Sequence, residues 1–326
     1  MTHNTTRATM TNTIKNTLLL GLLGFVDVFF LAGCGPTFDP ASLIQDTRVV
    51  GARIEVEGAP DHASPQPGET ADVTWLVTSP DATPPLGWTF AVCAPGTGKG
   101  SPACFEAPLA RFDGAVSPPR ISIPVPSAAV LGGATSLTIY GGICAGVDSM
   151  PQFDPQSGLA SCPAGGRATT VSLDMPLQLG DDANHNPIAD RAFTLDGAAW
   201  SAPAAADDPC VQGPRVTAGS KDHVIGDATE GSDREPYTVV IGDPPVATPA
   251  RESLQISQFT TAGKLKSQFS FVEATDENAT TTVDVTWDAP EAAEVQATGE
   301  AVTFTFVVRD DRGGTDWTTR VLCVTP

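Results

Sequence analysis

The sequence predicts an all-β protein built from two tandem antiparallel β-sandwiches. Proline and glycine, with 29 and 31 residues, are too frequent and too evenly spread for long helices. Apolar residues recur with period two in short segments bounded by turn residues, which is the pattern of half-buried strands. The chain of 326 residues also exceeds the usual size of a single hydrophobic core. We therefore expect sandwich domains at 47–178 and 188–326, joined by a linker at 179–187.

A short apolar run precedes the first domain and ends in Leu31-Ala32-Gly33-Cys34. Arg7 and Lys15 come before the run, so the segment has the layout of a secretory signal. Its last four residues resemble the lipobox of bacterial lipoproteins, a family in which the peptide is cut before an acylated cysteine. The resemblance implies a cleaved signal peptide at 1–33, lipidation of Cys34 and a tether at 34–46. A cleaved signal without a lipid and a chance cysteine are the alternatives.

The same resemblance implies a location. In the lipoprotein family, an aspartate directly after the cysteine often retains the product in the inner membrane, and this chain has Gly35 there. We therefore expect a lipid-anchored cell-envelope protein in the outer membrane of a Gram-negative bacterium. Its expected partners are the membrane, through the anchor on Cys34, and an envelope or surface protein that the sequence does not identify.

Alternating apolar residues predict six or seven strands in the first domain, six of which can be located. Val50, Ala52, Ile54 and Val56 form one such series, and the turn Pro67-Gly68-Glu69 leads into the next. The predicted strands lie at 50–56, 71–77, 88–93, 121–125, 137–144 and 169–177. The linker that follows is polar and ends in Pro187, so we expect it to be exposed and extended.

Eight further strands are predicted in the second domain. They lie at 192–195, 223–225, 237–241, 253–259, 268–272, 281–287, 302–308 and 315–324. The last two form the clearest hairpin, because alternating residues 302–308 are followed by the turn 310–314. On the returning strand, Trp317, Val321 and Cys323 share one face, and we expect Cys323 to point into the core.

Residues 306–317, Phe-Val-Val-Arg-Asp-Asp-Arg-Gly-Gly-Thr-Asp-Trp, resemble the terminal hairpin of bacterial immunoglobulin-like and cadherin-like repeats. The early turn at 67–69, with the alternating strand after it, resembles a hairpin of similar domains. With the lipobox, these features are similar to those of two-domain lipoproteins of Gram-negative bacteria. The resemblance implies immunoglobulin-like sandwiches, but a fold does not by itself imply a function.

Six cysteines remain besides Cys34, an even number that indicates disulfides in an exported protein. Six cysteines allow fifteen connectivities, and the sequence alone does not choose among them. Proximity along the chain and the domain boundaries suggest Cys93–Cys104, Cys144–Cys162 and Cys210–Cys323. No Cys-x-x-Cys spacing occurs, which argues against a redox motif or a structural zinc site.

The formal net charge of −20 argues against nucleic acid as a partner, because both molecules are negative. Catalytic motifs are also absent from the sequence: there is no Gly-x-Ser-x-Gly elbow, no His-Glu-x-x-His and no phosphate-binding glycine loop. Neither His62 nor His223 lies in a sequence pattern that suggests a triad. We therefore expect a protein that is not an enzyme and that needs no cofactor.

Calcium is the one specific ligand that the sequence suggests. Asp182, Asn184 and Asn186 alternate before Pro187, with Asp190 nearby, and resemble the calcium-binding linker between cadherin repeats. Oxygen atoms at alternate positions can converge on one calcium ion. His185 stands where that linker has an aspartate, which removes a charged ligand. The alternative is that these residues only form turns and cap backbone groups.

The aromatic residues favour a core role. Trp75, Trp88, Trp287 and Trp317 lie on alternating strands, whereas Trp200 lies in an alanine- and proline-rich segment and is expected at the surface. The expected function is therefore lipid-anchored display of immunoglobulin-like domains for binding or adhesion. The alternatives are an accessory lipoprotein of a secretion or motility assembly and a hydrolase whose site has no recognisable motif.

Overall fold

The computed structural model describes residues 40–95, 103–180, 182–203, 208–242 and 244–326. The predicted signal peptide, Cys34 and the tether up to residue 39 lie outside these ranges. The described residues form one compact unit. No helix in the described ranges is long and apolar enough to cross a membrane.

The first part of this unit, which we call the first sandwich, contains nine strands in its described residues. They are β1 (Arg48–Val56), β2 (Thr70–Thr78), β3 (Leu86–Val92), β4 (Ala110–Gly114), β5 (Arg120–Pro124), β6 (Ser136–Ala145), β7 (Gln152–Phe153), β8 (Ala160–Ser161) and β9 (Arg167–Pro176). Two one-turn helices accompany them, α1 (Ala103–Glu106) and α2 (Ala128–Leu131).

Two antiparallel sheets face each other in the first sandwich, in the orders β1-β2-β5 and β4-β3-β6-β9, and β7 pairs with β8. Alternate residues of both sheets meet in a common apolar core, as expected for a sandwich. At its centre the Trp75 ring stacks on Phe90, with ring centroids 3.8 Å apart and an interplanar angle of 4°. The apolar alternation of β2 and β3 therefore supplies this core.

The second part of the unit, which we call the second sandwich, contains twelve strands in its described residues. They are β10 (Ala192–Leu195), β11 (Ala198–Ala199), β12 (Arg215–Thr217), β13 (His223–Glu230), β14 (Pro236–Ile241), β15 (Val246–Arg251), β16 (Leu254–Thr260), β17 (Lys264–Leu265), β18 (Phe269–Val272), β19 (Thr280–Asp288), β20 (Glu300–Asp310) and β21 (Thr315–Thr325). The helix α3 (Pro209–Gln212) and a 3-10 turn (Gly231–Asp233) lie between them.

The second sandwich has sheets in the orders β11-β10-β13-β19-β17 and β12-β21-β20-β16-β18, with β14 and β15 forming a separate hairpin. All pairs are antiparallel except β12 with β21, which is parallel. A second apolar core lies between the two large sheets, with Trp287 and Trp200 each packed edge-to-face on Phe304. The predicted all-β fold class is confirmed, whereas the predicted domain bounds stay a prediction.

The last hairpin forms as expected, but the inward face predicted for its second strand is wrong. Val302 pairs with Leu322 and Phe304 with Arg320, so these residues share the core face. Trp317 and Cys323 point to the opposite face of the sheet, although Cys323 is still fully buried. The alternation pattern gave the wrong face because a buried charged residue, Arg320, occupies a core-facing position.

Trp200 is also buried, contrary to the expectation of a surface position. Its Nε1 donates to Val321 O at 3.1 Å, so the indole has a hydrogen-bond partner inside the core. Trp200 therefore belongs to the core of the second sandwich, although its neighbours Ala199 and Ser201 are exposed.

Three disulfides join the same cysteine pairs that chain proximity suggested. They are Cys93–Cys104, Cys144–Cys162 and Cys210–Cys323, with sequence separations of 11, 18 and 113 residues. The two short loops belong to the first sandwich. The long loop ties α3 to the final strand of the second sandwich, so it encloses most of that sandwich's strands.

Candidate functional site

The segment at 182–187 was expected to be an exposed linker, and this expectation is wrong. Asn184 is 2% exposed and Pro187 is buried. Ala63 N donates to Asn184 O at 2.7 Å, and Asn186 N donates to Asp61 O at 2.6 Å. The loop after β1 therefore pairs with the segment and covers it. We call 182–187 the junction segment, because it lies where the two sandwiches meet.

A single side-chain amide bonds both sandwiches. Asn186 Nδ2 donates to Ile54 O of β1 at 2.7 Å, and Thr315 N of β21 donates to Asn186 Oδ1 at 3.0 Å. Beside this amide, Arg53 of β1 forms an ion pair with Asp316 of β21. These contacts fix the orientation of the final hairpin against the first sandwich.

An apolar cluster continues the junction on the other side of β1. Val50 and Val307 lie at its centre, and Arg309 Nη2 donates to Val50 O while its Nη1 donates to Ser257 Oγ at 2.9 Å. Burial lowers the pKa of Arg309. The cluster also includes half-buried Trp317 and comprises Ile44, Val50, Leu76, Phe259, Val307 and Trp317.

Arg312 occupies the centre of the polar part of the junction. Its Nη1 lies 3.2 Å from Glu252 Oε1 and 3.6 Å from Glu235 Oε2. Its Nη2 donates to the carbonyl oxygens of Asp182 and Ala183, each at 3.1 Å. The turn of the final hairpin therefore holds the start of the junction segment through one guanidinium group.

Two carboxyl groups beside Arg312 are buried. Burial, and next the charge of Asp310, raise the pKa of Glu252 to about 7. Burial also raises the pKa of Asp310, although hydrogen bonds from the amides of Gly314 and Arg312 and from Asn184 oppose the shift. Protons are therefore held more tightly here than on ordinary carboxyl groups.

The residues predicted to bind calcium make separate contacts; they are Asp182, Asn184, Asn186 and Asp190. Asp182 Oδ2 accepts from Thr238 N at 3.2 Å, and Asp190 Oδ1 accepts from Arg320 Nη2 at 3.0 Å. Asn186 bonds the two sandwiches, and Asn184 lies against buried Asp310. No hydrogen bond among the described residues joins two of the four. Protein donors engage one side-chain oxygen each of Asp182, Asn186 and Asp190, which fits the alternative that these residues shape the backbone, whereas Asn184 Oδ1 is buried without a hydrogen-bond partner among the described residues.

The junction does bring two histidines together. His62 and His185 pair across an isolated antiparallel bridge, and their rings are perpendicular with centroids 4.6 Å apart. His185 Nε2 lies 3.8 Å from Asp61 Oδ2. One ligand atom from each of these three residues lies within 4.8 Å of the other two. This is a group of nitrogen and oxygen donors suited to a metal ion.

Another histidine, His223, lies in a chain of hydrogen bonds at the start of β13. Ser220 Oγ is 2.7 Å from His223 Nε2, and His223 Nδ1 is 2.8 Å from Asp196 Oδ2. Burial alone would raise the pKa of Asp196, but the hydrogen bonds from His223 and Val224 N lower it. The order of groups is that of a serine nucleophile, a base and an orienting carboxylate.

Sequence reasoning missed both histidine groups. His62 and His185 lie far apart in the chain and meet only because the loop after β1 pairs with the junction segment. The neighbouring Asp61-His62 pair was the only local signal. In the other group, Ser220 and His223 are close in sequence, but Asp196 comes from the turn after β10. No local pattern identifies that carboxylate.

No family model matches the chain, and no curated protein matches it. Among solved structures, the chain is similar to red sea bream transglutaminase, with 8% identity over 87% of this chain and a TM-score of 0.23. It covers 32% of that transglutaminase, so it spans about a third of the neighbour's length. It is also similar to the two tandem V-type regions of VCBP3, a v-region-containing chitin binding protein. That match has 8% identity, covers 84% of this chain and 99% of the other, and has a TM-score of 0.22. Both likenesses concern the fold alone.

Proposed function

We propose that this chain is a lipid-anchored cell-envelope protein that displays its two sandwiches as one rigid, non-catalytic binding module. The observation that carries the proposal is the junction. The Asn186 amide bonds both sandwiches, and Arg312 and Arg309 connect the final hairpin to the rest of the molecule. The polar side chains of Asn186, Arg309 and Arg312 are engaged in holding the two sandwiches together.

The binding surface that we propose is the outer edge of the second sandwich. β18 is the edge strand of its sheet, and its Phe269 and Phe271 are 41% and 57% exposed. The two residues alternate along the strand, so they share a face. An edge strand with exposed aromatic side chains can pair with an added strand from a partner.

The anchor is tested by metabolic labelling with an alkyne palmitate analogue in a Gram-negative host that expresses the full-length chain. We expect the wild-type protein to incorporate the label and the Cys34→Ala variant to lose it. Globomycin should block processing of the wild type alone. Equal labelling and equal processing of the two proteins would contradict lipidation at Cys34. Protease treatment of whole cells then distinguishes a surface-facing protein from a periplasmic one.

The binding surface is tested by cross-linking in the envelope of the same cells, followed by pull-down. We expect the Phe269→Ser/Phe271→Ser variant to lose a specific cross-linked partner that the wild type retains. A matched control is Val116→Ser/Val130→Ser, which removes two exposed apolar side chains from the first sandwich. Loss of the cross-linked partner in both variants, or in neither, would contradict binding through the edge strand. A partner from a secretion or motility assembly would favour the accessory-lipoprotein alternative.

A hydrolase is the second candidate function, and the Ser220–His223–Asp196 chain is the observation that favours it. Two contacts weigh against it. Ser220 Oγ also donates to Thr217 O, so its single proton is directed to a carbonyl group. The amides of Ser220 and Asp222 already donate to Thr217 O and Asp288 Oδ1, so neither can stabilise an oxyanion.

A fluorophosphonate probe discriminates the two functions, because it labels activated serine nucleophiles. We expect the full-length wild type to show no more labelling than the Ser220→Ala variant. Ser267→Ala, which removes another exposed serine, is the matched control. Labelling that disappears in Ser220→Ala and persists in Ser267→Ala would contradict the non-catalytic proposal and support the hydrolase.

A further inference from the structure

The backbone places His62 and His185 at a position where opposite side chains approach closely. The hydrogen bonds on either side of the bridge are Ala63 N to Asn184 O and Asn186 N to Asp61 O. This pattern makes His62 and His185 a non-hydrogen-bonded pair, the closer of the two antiparallel arrangements. The juxtaposition of the two imidazoles is therefore built into the backbone pairing and does not depend on two flexible side chains meeting by chance.

A second carboxylate orients one of these imidazoles. Glu235 Oε1 lies beside His185 Nδ1, and Glu235 Oε2 accepts from His185 N at 3.1 Å. Glu235 is itself held, because Glu235 N donates to Glu252 Oε2 at 3.1 Å and Arg312 lies 3.6 Å away. With a proton on Nδ1, the lone pair of His185 is on Nε2, which lies 3.8 Å from Asp61 Oδ2. Metal-binding histidines are commonly oriented by a carboxylate in this manner.

We propose that Asp61, His62 and His185 bind a divalent transition metal ion, with zinc as the expected ion. Two imidazoles and one carboxylate suit zinc, nickel or copper, whereas calcium and magnesium prefer ligand sets of oxygen alone. Ligand atoms around tetrahedral zinc are about 3.3 Å apart, from bond lengths near 2 Å, so the present spacing needs only side-chain rotation. Asp61 is 68% exposed, which leaves the ion accessible and a coordination position open to water or to a partner's side chain.

The site differs in chemistry and in residues from the calcium hypothesis. Its ligands come from the loop after β1 and from the junction segment, so a bound ion would add a further connection between them. An ion that binds only the folded arrangement stabilises it. The inference does not depend on the proposed display function, because the same site could form on a module with any partner.

The proposal is tested on tag-free full-length protein that has been stripped with chelator. Cobalt serves as the spectroscopic probe, and zinc affinity follows from competition with a chelating dye. We expect one equivalent of cobalt to produce visible d–d absorption, one equivalent of zinc to displace it, and millimolar calcium to leave it unchanged. Zinc should also raise the melting temperature.

Variants locate the site. We expect His62→Ala and Asp61→Asn, both at partly exposed positions, to fold and to lose the cobalt spectrum. Glu235→Gln should retain the ligands and weaken zinc binding by roughly 10- to 100-fold. His223→Ala is the matched control, because it removes another half-buried histidine that contacts a carboxylate. The proposal is overturned if wild type shows no cobalt spectrum, if His62→Ala retains it, or if His223→Ala loses it equally.

Discussion

The two sandwiches are both built from two packed sheets, but their cores differ. The first has an apolar centre, with Trp75 stacked on Phe90, and both of its disulfides close short loops. The second buries charged groups among its apolar residues. Arg320 is 1% exposed and lies over the Phe193 ring at 4.3 Å, and one disulfide closes a long loop. The first sandwich is therefore held mainly by apolar packing, whereas the second also depends on satisfied polar contacts.

Removal of the disulfides should have the largest effects on stability. Replacing Cys210 and Cys323 with serine releases a loop with a sequence separation of 113 residues, and we expect a loss of roughly 5 kcal/mol in the chain-entropy account. The Cys144→Ser/Cys162→Ser pair releases a separation of 18 residues and should cost roughly 3 kcal/mol. Denaturant unfolding of both variants measures the difference. Equal losses would show that strain or residual structure outweighs loop length.

Arg320 tests the buried polar core directly. Its guanidinium donates to Trp200 O at 3.0 Å and to Asp190 Oδ1 at 3.0 Å. The Arg320→Met variant would leave both oxygen atoms without this donor. We expect a loss of roughly 4 kcal/mol in the free energy of unfolding. The matched control is Arg120→Met in the first sandwich, whose exposed ion pair with Asp72 should contribute only about 0–1 kcal/mol. Similar losses would contradict the contrast between the sandwiches.

Glu252 should give the junction a pH dependence. Its pKa is raised from its ordinary value of 4.5 to about 7, so between these values the folded protein binds the proton more tightly than the unfolded chain. The free energy of unfolding should therefore fall by at most roughly 3 kcal/mol as the pH rises from 4.5 to 7. Above pH 7 it should no longer change through Glu252. Glu252→Gln should remove this part of the slope. Urea unfolding at several pH values measures it, and an unchanged slope would reject the assignment.

Asn186 should have the smallest of these effects. Asn186→Ala removes a donor to one sandwich and an acceptor for the other, and we expect a loss of roughly 2 kcal/mol. Asn278→Ala, at an exposed turn, is the control and should cost less than about 0.5 kcal/mol. Thermal unfolding should also become less cooperative if Asn186 joins the two sandwiches into one unit. A single sharp transition with unchanged midpoint would contradict that role.

Most strands were predictable because period-two alternation is local. The missed strands lack that pattern for identifiable reasons. β4 carries exposed Arg111 and Asp113 on one face and only half-buried residues on the other. β15 contains Pro249 and pairs only with its neighbour β14, which is a position where a strand tolerates proline. Neither strand contributes a run of fully buried apolar residues, so neither gave a clear signal.

The candidate sites were predictable only in part. The residues of the junction segment were predicted to bind calcium, and their role as connectors was not predicted, because Ile54 and Thr315 lie 132 and 129 residues away from Asn186. The group of Asp61, His62 and His185 was missed for the same reason. A polar residue next to a turn looks the same in sequence whether it faces solvent or a distant backbone group.

By itself, the sequence determined the all-β class and most strand positions, and proximity along the chain suggested the disulfide pairing. These properties depend on neighbours along the chain. Only the tertiary structure decided that Arg320 and Asn184 are buried, that the predicted linker is a packed junction and that two histidines face each other. The physical reason is that a polar group can be buried only when partners satisfy it. For Arg320 and for the backbone of Asn184, such partners come from distant parts of the chain.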